Sequence, residues 1–192
     1  MRPRGRGGRD RLAQAALAAV VLAGGLLLNH LERFGGSHRS YVSSGEVGDR
    51  LAVWPGSVVV HGARAAQVVQ TPYDGPASTE GAWVAVDLTL AGGDQAGPLA
   101  DVTLVDRQGR AFSTSYRAGA EYVGPAEPSS PVRGEVVFEV PRDALGRFTV
   151  VVHEYLRGAD ALGGEARVPV TVEDVSTEVL VPAEAQLEEP WP

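Results

Sequence analysis

The sequence predicts an all-β fold, an antiparallel β-sandwich, preceded by one N-terminal transmembrane helix. Three observations predict it. Apolar and polar residues alternate at period two over several short runs, turn residues separate those runs, and one long uncharged stretch follows an arginine-rich head. The clearest run is Trp83–Leu90, in which Val84, Val86, Leu88 and Leu90 alternate with Trp83, Ala85, Asp87 and Thr89. The first set is assigned to the core. Glu135–Val140 repeats the pattern with Val136, Phe138 and Val140, and Phe148–Val152 with Phe148, Val150 and Val152. Weaker strands are Ser57–His61, Ala65–Gln70, Asp101–Val105, Ala111–Ser115 and Arg167–Val172.

The connections agree with this reading. Asp106-Arg107-Gln108-Gly109 reads as a hairpin turn in which Gly109 takes positive φ. Pro72–Pro76 and Ala91–Asp94 break the chain between strands. Pro141 ends a strand, and Asp143–Gly146 has room for one helical turn. Alternation, rather than continuous apolar runs, points to antiparallel sheets with one solvated face. The body from Gly45 to Val172 is 128 residues long. That size buries roughly two-thirds of the unfolded chain's surface without disulfide or metal.

The 192 residues carry a net charge of -7, with no cysteine, and all 17 basic residues are arginine. Thiol catalysis, disulfides and thiolate metal sites are excluded. So are Schiff-base chemistry and a Walker-type phosphate loop, which need lysine. Charge is unevenly placed. Residues 1–11, a basic cytoplasmic head, hold five arginines against Asp10, a net +4. Residues 34–192 hold 11 arginines against 22 acids, a net -11. No nucleic-acid partner is expected of so acidic a body, which repels a phosphate backbone.

Between head and body lies Leu12–Leu28, 17 residues without a charge. As a helix it measures about 25 Å, the short limit for a bilayer core of about 30 Å. Residues 12–31 are therefore read as a transmembrane signal anchor. The preceding arginines keep the N-terminus cytoplasmic and place the body outside the cell membrane. A cleaved signal peptide and a buried cytosolic helix are the competing readings, although no A-x-A cleavage pattern follows the run. Residues 32–44 read as a flexible stalk and 45–172 as the sandwich. Residues 173–192, with six acids and three prolines, read as an acidic, largely disordered tail. Within it, Glu178–Val181 is suited to an added edge strand.

The order of these signals resembles a known family. GEVGDRLAV, WVAVDLTL, LVDRQGRAF and VRGEVVFEVPRDAL followed by FTVVV occur in turn. They resemble the telokin-like, immunoglobulin-type extracytoplasmic domains of unknown function found in bacterial lipoproteins and membrane-anchored proteins. The resemblance covers about 45–155 and implies an immunoglobulin-like sandwich in the cell envelope, with no established catalytic residues. The chain departs from it in lacking a lipid-attachment cysteine, which its apolar segment would replace.

No chemistry-bearing constellation is legible. His30, His38, His61 and His153 have no i, i+4 pair of the zinc-protease kind, and no G-x-S-x-G elbow is present. Carboxylate pairs such as Asp101 with Asp106 need a sugar-sized cleft to act on a glycoside. Loop carboxylates suit Ca²⁺, though no D-x-D-x-D run exists. No cofactor, no catalytic residue and no metal site is therefore expected, and the chain is read as not an enzyme. The interaction candidates are Trp54, Trp83, Tyr116, Glu121 and Tyr122. The last two lie in the long linker Arg117–Pro131, the most site-like stretch. Trp83 lies opposite Val84 and Val86, on a face open to solvent or to a partner. The competing reading of the aromatics is that they plug the ends of the sandwich. The expectation is a non-catalytic, membrane-anchored module that binds an envelope protein. The alternatives are a ligand-sensing or wall-polymer-binding domain and an envelope hydrolase.

Overall fold

The computed structural model describes residues 41–53, 55–93, 100–128, 130–154 and 164–189. The strands are β1 (Tyr41–Ser44), β2 (Arg50–Val53), β3 (Gly56–Thr71), β4 (Gly75–Ala91), β5 (Ala100–Asp106), β6 (Ala111–Ser113), β7 (Val132–Val140), β8 (Gly146–Glu154), β9 (Gly164–Val172), β10 (Val175–Leu180) and β11 (Gln186–Leu187). They form two sheets. One has the order β1-β9-β8-β5-β6; the other is β10-β3-β4-β7-β11, with β2 also paired to β3. The fold is an all-β sandwich, as the alternation predicts.

The core between the sheets is made by the predicted inward sets. Val84, Val86, Leu88, Val136, Phe138, Phe148, Val150 and Val152 are buried in one cluster with Val58, Val60, Leu104 and Val168. Most of these side chains are β-branched, which suits a pleated, packed face. The runs Ser57–His61 and Ala65–Gln70 belong to one continuous strand, β3, paired with β4 through two register shifts. The expected turns form. Gly109 has φ +80, and one turn of 3-10 helix spans Arg142–Ala144.

Several expectations require correction. The sheets are not wholly antiparallel, because β1 pairs parallel to β9 and β10 parallel to β3. Period two is the same in both arrangements, so alternation cannot report strand direction. The stalk expected over 32–44 is already strand from Tyr41. Residues 173–192 are not a disordered tail through Glu189. Val175–Leu180 is the edge strand β10, which extends the Glu178–Val181 run, and Gln186–Leu187 is β11. The anchor assigned to 12–31 lies outside the described residues. Among those described, no helix is long and apolar enough to cross a membrane.

The largest correction concerns Trp83. It faces away from the inter-sheet core, as predicted, yet is 0% exposed. It packs in a second cluster with Ala66, Val69, Ala85, Ala118, Val137 and Leu180. The sheet is bent to make this layer. Ala66 pairs with Trp83 but Val68 with Ser78, so four residues of β4 stand against one of β3. Such a bulge kinks a hairpin. The distal half brings Val69 and Ala77 onto Trp83, whose Nε1 donates to the Ala77 carbonyl at 3.1 Å. The Arg117 guanidinium lies 5.3 Å from the indole centroid and donates to both Glu139 carboxylate oxygens, at 3.0 and 2.9 Å.

The two motifs DRQGR and PRDAL meet through one arginine. Asp106 Oδ1 accepts from the Gln108 and Arg110 backbone N–H groups at 2.8 and 2.9 Å, and Oδ2 accepts from Arg110 Nε at 2.6 Å. Arg110 Nη1 donates to Asp143 Oδ2 at 3.0 Å. Burial pushes the Asp106 carboxyl up, but these hydrogen bonds outweigh it and leave the group below its ordinary range.

Two outcomes are expected. Trp83→Ala empties the outer cluster and costs about 3–5 kcal/mol in denaturant unfolding. The Asp106 contribution is complete above the ordinary Asp pKa of about 3.9 and is lost as pH falls through the depressed native value. Asp106→Asn therefore lowers Tm by several degrees at neutral pH. The gap from the parent narrows on acidification in a calorimetric pH series.

Candidate functional site

The outer face of the β3-β4-β7 sheet carries charge beside the Trp83 cluster. Arg64 on β3 reaches over Ala85 of β4 to Glu135 of β7. Its Nε donates to Oε1 at 2.9 Å and its Nη2 to Oε2 at 2.8 Å. Glu135 is 7% exposed, so its charge needs such compensation. A two-pronged contact suits guanidinium and carboxylate geometry. The bond holds the Arg64 guanidinium above its ordinary pKa.

The same carboxylate holds the C-terminal segment. The Ala183 N–H donates to Glu135 Oε2 at 2.8 Å, and the Glu135 N–H donates back to the Ala183 carbonyl at 3.2 Å. Arg64 Nη2 also donates to the Val181 carbonyl at 2.9 Å. Gly134 lets the segment come close, since a Cβ there would lie 3.2 Å from Ala185 Cα. A glycine inside a strand marks such an approach. Farther along, Gln186 and Leu187 pair with Arg133 and Val132. The Glu188 N–H donates to the Pro131 carbonyl at 2.8 Å. Arg133 is clamped on Asp87 by bonds of 3.0 and 2.7 Å, which raise its pKa. The buried Thr89 hydroxyl donates to Glu188 Oε2 at 3.0 Å and lies 2.7 Å from His61 Nε2. Residues 181–189 thus form a strap held chiefly by polar bonds.

A groove of about 310 Å³ opens beside this strap. It is lined by Ala118–Ala120, Tyr122 and Val123 from the linker, by Val181–Ala185 from the strap, and by Pro72 and Glu135. Tyr122 is 57% and Val181 61% exposed, so apolar surface is offered to solvent. The linker is shaped to fit. Gly119 has φ +67 and would place a Cβ 2.4 Å from Pro72 Cγ, which only glycine avoids.

Of the residues singled out in the sequence, the structure brings Tyr122 to this groove. Tyr116, in the 3-10 turn Tyr116–Ala118, is exposed and does not line it. Glu121 is half-buried next to Tyr122 and does not line it either. Trp54 lies outside the described residues. Trp83 is core, so it offers no recognition surface. Val181, Pro72, Pro182 and Glu135 were missed. The detectable signal is the Arg133-Gly134-Glu135 run that interrupts the apolar residues of β7.

Thr89 and His61 have the spacing of a nucleophile and base, but Thr89 is 0% exposed and its proton is committed to Glu188. Asp101 and Asp106 sit at opposite ends of β5, about 17 Å apart by strand rise. His153 Nδ1 lies 3.6 Å from Glu165, which also pairs with Arg167. Among the described residues, no three His, Asp or Glu side chains converge to hold a metal ion.

Arg64→Ala leaves Glu135 with the Ala183 N–H as its side-chain partner and is expected to cost about 1–3 kcal/mol. Replacing both partners, Arg64→Met with Glu135→Leu, should recover part of that loss. A double-mutant cycle by urea unfolding measures the coupling.

No protein-family model and no curated protein matches the chain. Among solved structures it is similar to an uncharacterized β-sandwich protein from Clostridium difficile 630. The likeness has 9% identity and a TM-score of 0.41, and covers 68% of this chain and 95% of that one.

Proposed function

We infer that this chain is a single-pass membrane protein whose extracytoplasmic, immunoglobulin-like sandwich of the telokin-like kind acts as a non-catalytic interaction module in the bacterial cell envelope. The observation that carries the reading is the groove between linker and strap. Its lining includes the exposed Tyr122 and Val181 together with Pro72 and Pro182. An aromatic anchor among stiff, apolar neighbours suits an extended segment of a protein partner. The anchor at 12–31 supports the localisation, since an uncharged run behind arginines inserts with its positive end inside. Tethering also raises the effective concentration of the module at the membrane.

The competing ligand is a wall polymer, favoured by Tyr122 and Tyr116 as exposed stacking surfaces. The two readings separate in one experiment. A photo-crosslinking residue replaces Tyr122 in native membranes, with Tyr73, 93% exposed on the β3–β4 turn, as control position. A discrete protein adduct at 122 and none at 73 is expected. Tyr122→Ala should weaken capture by about tenfold or more while leaving Tm nearly unchanged. No adduct at 122, together with a thermal shift on adding wall fragments, would replace the protein partner by the polymer. Mature protein lacking residues 1–31 in the medium would remove the anchor.

A further inference from the structure

We propose that the strap, residues 181–189, is an exchangeable strand, and that its second occupancy is the β7 edge of another copy of this chain. The seat has strand chemistry and a defined complement. It offers the Glu135 N–H and carboxylate, the side-chain-free Gly134, the Arg133 guanidinium, the Thr89 hydroxyl and the Pro131 carbonyl. The strap answers each in turn with the Ala183 carbonyl and N–H, the Ala185 backbone, both Glu188 carboxylate oxygens and the Glu188 N–H. A second copy carries that complement residue for residue, so exchange re-forms every bond with no new contact required.

The strap is also built to leave. Its side chains at Glu184, Gln186 and Leu187 point to solvent, with Leu187 77% exposed, so opening uncovers little apolar surface. The element before it stays behind. Leu180, the last residue of β10, is 2% exposed in the Trp83 cluster. The exposed Val181 and half-buried Pro182 at the start of the strap form a short hinge between a fixed strand and the polar residues 183–189. A short hinge loop invites exchange of the following strand between copies. Once vacated, β7 presents an unpaired edge, the usual template for another strand.

The test uses disulfides, because the chain has no cysteine of its own. Val132 and Leu187 are directly opposite in register. Full-length Val132→Cys and Leu187→Cys chains are mixed in detergent and oxidised, with Val132→Cys plus Val179→Cys as the control pair. Val179 is exposed on β10, outside the strap. The 132–187 heterodimer should form at least about tenfold faster than the control, as expected for thiols placed within bridging distance. The Val132→Cys, Leu187→Cys double variant in one chain should close internally and then stay monomeric by light scattering as concentration rises. Equal rates for the two mixtures, with internal closure of the double variant intact, would confine the strap to its own chain and overturn the exchange. Failure of both internal and mixed bridges would remove the seat itself and overturn it equally. Val181–Ala185 also line the Tyr122 groove, so the crosslink at 122 is read separately and reports its partner whichever copy supplies the strap.

Discussion

A tryptophan on the side of β4 that faces away from the sandwich core must still be kept from water. That constraint organises the rest of the second sheet. An indole buries roughly 200 Å² or more, too much to leave open on a small domain. The molecule meets it with three pieces drawn from distant parts of the chain. The β3–β4 hairpin kinks at its bulge and brings Val69 and Ala77 over the ring. The linker contributes Ala118 and the Arg117 guanidinium stacked on the indole. The C-terminal strand β10 ends on Leu180 in the same cluster. The domain therefore has two apolar layers separated by one sheet.

Next to that apolar patch the covering becomes polar, and the change of chemistry separates permanent contacts from reversible ones. Leu180 is held by burial. Ala183 and Glu188 are held by hydrogen bonds to Glu135, Thr89 and Arg133. Water competes for such bonds, so each contributes only about 1–3 kcal/mol net, well below its strength out of water. The β7 edge is closed piecewise by the same elements. Thr114 bridges Phe138, Ser115 and Ala120 both bond Val137, Ala183 bonds Glu135, and Gln186–Leu187 pair with Arg133 and Val132. Protection of the edge and construction of the groove are thus one arrangement.

Most of the sandwich was legible because a half-buried strand writes period two into its sequence. Val84, Val86, Leu88, Val136, Phe138, Phe148 and Val150 all point where alternation puts them. Alternation names two faces without saying what covers either, which is why Trp83 could be read as a recognition residue. The warning lay in the unbroken runs Trp83–Val86 and Val136–Phe138, the pattern of a strand buried on both sides. The C-terminal strap was illegible for a different reason. Acidic, proline-containing composition reports how little apolar area a segment can bury. It cannot report that Glu188 finds a threonine and an arginine contributed by β4 and β7. Tyr122 was legible as an aromatic in a long linker, whereas Val181 and Pro182 join it only through the fold.

The parallel pairing of β1 with β9 has a mechanical meaning. Tyr41–Ser44 runs alongside Gly164–Arg167, and the Gly45 N–H adds a bond to the Arg167 carbonyl. In a parallel pair the ladder hydrogen bonds are evenly spaced and slant across from strand to strand. A tension applied at Tyr41 along the strand loads those bonds side by side, in shear, instead of peeling them one after another. The first strand of the domain is a splice: any pull entering from the N-terminal side is shared across several bonds before it reaches the core strands β8 and β5.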